Sequence, residues 1–230
     1  LGGVIVEPFQ RLLPPKEGFL EGLQEITSHY EIPLIFDEVV TGFRFSYGGA
    51  QDYYGVVPDI CTLGKAIAGG FPLTAVAGRD EIMNHFDSEK VSKDGFMPQI
   101  GTLSGNPIAC AAGLATLDIL KQDGVYENMF DTGQKIMNGL QRILDNAEIP
   151  AKVIGEPVLF DAFFTTKEVY DYRSSLTADS QKLSRFNQLI LDCGILKGTT
   201  KFYISTEHND QDVEKTLEAF EEAANILKSE

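Results

Sequence analysis

The chain has 230 residues, enough for one large core or two small ones, and its 43% hydrophobic and 23% charged residues match an ordinary globular protein rather than a disordered one. A formal net charge of -15, with Lys and Arg scattered among acids, argues against nucleic acid or an anionic membrane as a partner. No apolar run approaches the roughly 20 residues of a bilayer span. The three cysteines, Cys61, Cys110 and Cys193, lack both disulfide pairing and metal-site spacing, which fits a reducing cytoplasm.

In chain order, "VIVEP" (Val4–Pro8) and "PLIFDEV" (Pro33–Val39) read as buried strands that end in acids, with a helical pattern over 16–30 between them. That is the grammar of a parallel sheet covered by helices. "ICTLG" and "LTAVAG" supply two further short strands. "NPIACAAGLATLDIL" (Asn106–Leu120) is small and apolar on nearly all sides, which predicts a helix buried between layers. After Leu120 the texture changes. Helical patterns over 125–146 and 178–193 flank the β-rich "KVIGEPVLFDAFFT", and "KFYIS" reads as a strand. A closing helix starts from Asn209 as N-cap, with Asp210 and Asp212 in its first turn. Val213, Leu217, Phe220 and Leu227 keep its inner face, and Glu218, Glu221 and Glu222 its solvated one. The expectation is an α/β fold: a mainly parallel sheet with helices over 1–120, then a smaller α+β domain over 121–230.

Lys65 in "TLGKAIAGGF" admits three readings: a phosphate grip, a covalent bond to a carbonyl, or a solvated turn. The phosphate reading fails, because a P-loop needs glycine where Asp59 stands and a hydroxyl where Ala66 stands. Covalent capture of an aldehyde cofactor needs room, which Gly64, Ala66, Ala68, Gly69 and Gly70 provide. Pyridoxal phosphate (PLP) also needs a carboxylate at its ring nitrogen, and Asp37 ends an apolar run where ligands meet an open α/β sheet. Its neighbour Glu38 should face the other way. "GTLSGNP" (Gly101–Pro107) offers hydroxyls and N–H groups ahead of a helix for the cofactor phosphate. Phe43, Phe45, Tyr47, Tyr53 and Tyr54 read as packing before substrate entrance, Arg44 as a structural ion pair before a contact to a substrate carboxylate, and His29, His85 and His208 lack ligand spacing.

"FDEVVTGFR", "YGGAQDYYGVVPDICTLGKAIAGGFPL" and "GTLSGNPIACAAGLATL" together resemble the class III PLP-dependent aminotransferases, closest to the glutamate-1-semialdehyde 2,1-aminomutase branch. The resemblance implies PLP-transferase fold type I in part. Residues 1–120 would be the C-terminal part of the large cofactor domain and 121–230 the small domain, so that the chain corresponds to the C-terminal half of the family subunit. It implies Lys65 as the Schiff-base lysine and proton shuttle, Asp37 as the ring-nitrogen partner and Val39 as packing on one ring face. Gly101 and Thr102 would belong to a loop that reaches the cofactor phosphate of the other subunit of a homodimer, and Glu7 would be an acid near the active site. Also implied are PLP, with pyridoxamine phosphate as its alternate form, a small amino-acid or amino-aldehyde substrate, and a cytoplasmic location. The leading activity is conversion of glutamate 1-semialdehyde to 5-aminolevulinate, for tetrapyrrole biosynthesis. The alternatives are intermolecular transamination of another amino acid or amine, and a non-catalytic fragment or assembly partner. "FQRLLPPKEGF" departs from the usual glycine-rich continuation of the family after "EP".

Overall fold

The apolar runs of the first hundred residues become neighbouring strands in a computed structural model that describes residues 1–230. The order is β1 (Val4–Val6), α1 (Phe19–His29), β2 (Leu34–Glu38), α2 (Gly49–Tyr54), β3 (Ile60–Leu63), a 3-10 turn (Lys65–Ala68), β4 (Ala75–Gly78), α3 (Asp80–Met83) and α4 (Pro107–Leu120). Then follow α5 (Val125–Asn146), β5 (Lys152–Glu156), β6 (Leu159–Phe163), α6 (Tyr172–Ser175), α7 (Ser180–Asp192), β7 (Phe202–Tyr203) and α8 (Asp210–Ser229). Two units are distinct: Leu1–Phe9 with Pro15–Asp123, and Gln10–Pro14 with Gly124–Glu230. No helix is long and apolar enough to cross a membrane.

The first unit carries a sheet in the order β1-β2-β3-β4. β1, β2 and β3 are parallel, as their helical crossovers require, and β4 returns antiparallel on the edge. Along β2, Leu34, Phe36 and Glu38 are buried on one face while Ile35 and Asp37 lie half-buried on the other. Leu20, Leu34, Phe36, Val56 and Cys61 form the core beneath it. Each such large side chain contributes roughly 1.5–3 kcal/mol by leaving water. Asp59 pins the opposite end of the sheet, accepting from Leu34 N–H at 2.8 Å and from Arg79 Nη1 at 2.7 Å.

One expectation fails here. α4 starts at Pro107 with Asn106 as its cap, but it is not enclosed between layers: Ile108 and Leu114 are 65% and 67% exposed. Only one stripe, including Ala109, Gly113 and Leu120, is buried. An all-round apolar sequence permits burial on every side, but whether it occurs depends on what packs there, and the first unit covers one side only.

In the second unit β5 and β6 form an antiparallel hairpin and β7 joins β6. α5, α7 and α8 cover this sheet through a core that includes Leu140, Phe160, Phe186, Ile190, Phe202 and Phe220. The rings of Phe202 and Phe220 meet edge-on at 5.5 Å, a favourable quadrupole arrangement. α8 begins with a reciprocal capping box. Asn209 Oδ1 accepts from Gln211 N–H at 2.8 Å, and Asp212 Oδ2 accepts from Asn209 N–H at 3.0 Å.

Candidate active site

Three parallel strands deliver side chains to one edge. Glu7 follows β1, Asp37 lies near the end of β2, and Lys65 follows β3 after a single glycine. In open α/β sheets this carboxyl edge is where ligands bind, because the loops leaving it are free to carry chemistry. Asp37 is paired in register with Thr62 of β3. Its Oδ1 accepts from Val39 N–H at 3.1 Å, closing an Asx-type turn, and from the Thr62 hydroxyl at 3.3 Å. A Cβ placed on Gly64 would lie 3.4 Å from Val39 Cγ1, so Val39 packs directly against the residue that precedes Lys65. Asp37, Val39 and Lys65 are therefore brought together. Glu7 is half-buried on the same edge, one strand further from Lys65.

Lys65 is exposed and has φ 48°, in the left-handed region that disfavours a side chain. Such strain costs about 1–3 kcal/mol and concentrates at functional positions. The side chain lines a cavity of about 800 Å3 whose other walls include Phe71, Met83, Phe86, Gln99, Gly101 and Ser104. Gly101 thus shares the cavity of Lys65, while Thr102 is exposed and is not among its walls. The helix start behind this loop is not open to a phosphate in the way its sequence implies. Asn106 Oδ1 already accepts from Ile108 N–H at 3.0 Å and Ala109 N–H at 3.1 Å. The donors left to a ligand come from the loop itself, including the hydroxyls of Thr102 and Ser104.

Behind the edge, Glu38 explains the "YGGAQ" stretch. Its carboxylate is fully buried and accepts from Ala50 N–H at 2.5 Å, Gln51 N–H at 3.2 Å, Gln51 Nε2 at 3.1 Å and the Thr41 hydroxyl at 3.0 Å. A buried carboxylate is tolerated when its lone pairs are filled in this way. The carboxylate also sits at the N-terminus of α2, where the helix dipole favours negative charge. Gly49 has φ 75°, and a Cβ there would collide with Glu38 Oε2. Gly49→Ala combines that collision with left-handed strain. It should lower the stability of the first unit by about 2–4 kcal/mol, measurable as faster amide hydrogen exchange in β2 and α2. Exchange at the wild-type rate would show that the clamp is not structural.

Several remaining readings resolve as packing. Phe45 is buried and meets Phe9, Tyr53 and Tyr54 edge-on, and Phe43 meets Tyr47. Arg44 Nε donates to the Val40 carbonyl at 3.1 Å. Burial pushes the Cys61 thiol up, which keeps it protonated and inert inside β3. Thr62 and Gln99 were not singled out by the sequence reading. For Thr62 the available signal was its position in a strand that leads straight to Lys65.

The sheet, its crossover helices and the residues at its carboxyl edge define an α/β architecture. Residues 1–223 match the aminotransferase class-III family, and the chain belongs to that family. Its members are PLP-dependent aminotransferases and aminomutases. The chain is 40% identical over 229 residues to the glutamate-1-semialdehyde 2,1-aminomutase of Natranaerobius thermophilus, covering 97% of this chain and 52% of that protein. Among solved structures, an omega-transaminase from Sphaerobacter thermophilus superposes with a TM-score of 0.91 at 32% identity, covering 98% of this chain and 52% of that one. A transaminase with PLP bound gives 0.87 at 27% identity, over 99% and 52% of the two chains. The chain spans about half the length of the relatives it matches.

Proposed function

We propose that this chain is the lysine-bearing portion of a PLP-dependent amino-transfer enzyme, with glutamate 1-semialdehyde as substrate and 5-aminolevulinate as product. The observation that carries the reading is the meeting of Asp37, Val39 and a backbone-strained Lys65 at the carboxyl edge of one parallel sheet, beside a cavity of about 800 Å3. The residues fit the group: an amine at the cavity wall, a carboxylate on the neighbouring strand with its two donors on one oxygen, and the apolar Val39 packed against the glycine that precedes Lys65.

PLP, when bound, supplies an aldehyde that captures amines and a ring that accepts the electrons of a broken C–H bond. Lys65 Nζ is the amine that would hold that aldehyde, and the same nitrogen would remove and return the substrate proton, for which it must be neutral when it accepts. Asp37 would accept the ring N–H through a charge-assisted hydrogen bond, which would keep the proton on the nitrogen. Val39 would pack on the ring and exclude water. Gly101 and Thr102 would supply phosphate donors to the partner subunit of a homodimer, and Glu7 lies on the same sheet edge. The assembly is cytoplasmic and serves tetrapyrrole synthesis.

A second reading, intermolecular transamination, is favoured by the similarity to an omega-transaminase at 32% identity. Incubating the full-length protein with glutamate 1-semialdehyde alone separates the two. The aminomutase reading expects 5-aminolevulinate with no second substrate. Turnover that needs an added amino donor or keto acid would instead establish the transaminase.

A further inference from the structure

We propose that Thr62 is a positioning residue for Asp37: its hydroxyl and the Val39 N–H fill Oδ1 of that carboxylate, which reserves Oδ2 for the cofactor ring nitrogen. The inference rests on the reading of Asp37 as the ring-nitrogen partner. Thr62 stands opposite Asp37 in the parallel register of β2 and β3, and the two side chains leave the same face of the sheet. Both donors converge on one oxygen, at 3.1 Å from Val39 and 3.3 Å from Thr62. An ionised carboxylate accepts about two hydrogen bonds per oxygen. Oδ1 is then complete, and Oδ2 is the oxygen with its acceptor capacity open.

The strand behind Asp37 is already fixed. Glu38, the next residue, is clamped on the opposite face by Thr41, Ala50 and Gln51. What remains free is the Asp37 side-chain torsion at the carboxylate, which is broad and roughly two-fold. The Val39 N–H alone is a single pivot about which the carboxylate plane can turn. A second donor from the neighbouring strand removes that freedom.

Thr62→Val keeps the volume and β-branching of the side chain and removes only the hydroxyl, and Thr62→Ser keeps the hydroxyl. The full-length protein would be loaded with PLP carrying 15N in its ring, and the ring-nitrogen NMR signal and the PLP dissociation constant measured. Thr62→Val should move the signal toward the unprotonated value and weaken PLP binding about 3- to 10-fold, the size of one hydrogen bond. Thr62→Ser should restore both, which a purely structural role for the side chain does not predict. Should Thr62→Val fold poorly, Thr62→Ala compared with Thr62→Ser makes the same test. A wild-type signal and affinity in the hydroxyl-less variant would overturn the inference. Asp37→Asn separates the levels. If it leaves the ring-nitrogen signal unmoved, the reading of Asp37 fails; if it moves the signal and Thr62→Val does not, only the role of Thr62 fails.

Discussion

Lys65→Ala should lower amino-transfer turnover by about 10⁴-fold or more, since one substitution removes both the covalent tether and the proton shuttle. The same position carries a second, opposite effect. With φ 48°, Lys65 holds a conformation that glycine adopts freely and other residues do not. Lys65→Gly should therefore be as inactive as Lys65→Ala yet more stable by about 1–2 kcal/mol. A paired comparison of thermal unfolding and turnover tests both halves. An inactive glycine variant that gains stability marks strain maintained for function. If Lys65→Gly is no more stable than Lys65→Ala, the backbone at Lys65 is relaxed and the strain argument fails.

Removing Lys197 should be the most destabilising change in the second unit. Its Nζ bonds both oxygens of Asp161, at 2.8 and 2.7 Å, with the two side chains only 3% and 2% exposed, and it lies 4.5 Å from the centre of the Phe202 ring. Burial pushes the Asp161 carboxyl up and the Lys197 ammonium down, and their mutual attraction opposes both shifts. Lys197→Met leaves a carboxylate buried without its cation, a loss of about 3–5 kcal/mol. The sign of the pH dependence follows. An Asp161 pKa raised above its unfolded value means that the folded state binds more protons, so stability falls as pH rises from the unfolded carboxylate value through the folded one. The loss in Lys197→Met should thus be largest at neutral pH and shrink on acidification. Asp161→Leu combined with Lys197→Met should recover most of it, because an apolar pair of similar volume needs no charge compensation. Amide hydrogen exchange in β6 and α7 reads these changes within the unit itself. Equal exchange in Lys197→Met and wild type at neutral pH would show that the pair is not the keystone described.

The amino-acid pattern carried the elements well where the signal was local. Alternation along "PLIFDEV" separated Asp37 from Glu38, and the faces of β2 follow it. Asn209 and Asp212 announced a helix start that forms a complete capping box. What stayed hidden depended on partners distant in the chain. Nothing local marks Glu38 as the anchor of α2 twelve residues later, where the glycine, alanine and glutamine of "YGGAQ" close around its buried carboxylate. The hydroxyl of Thr62 acquires meaning only from a strand register. Within this chain, which spans about half the length of its relatives, α4 is buried along one stripe although its sequence is apolar nearly all round. In "GTLSGNP", the N–H groups of Ser104 and Asn106 are taken by carbonyls of the loop itself, and the cap residue takes the first free N–H groups of the helix behind it.

The central claim is that Lys65 is the residue to which the cofactor is tied. Borohydride reduction of the PLP-loaded full-length protein, followed by peptide mass mapping, tests it most directly. The account predicts one reduced pyridoxyl group per chain, located on the peptide containing Lys65 and lost in Lys65→Ala. A stoichiometric adduct on another lysine, or one that persists in Lys65→Ala, would contradict it.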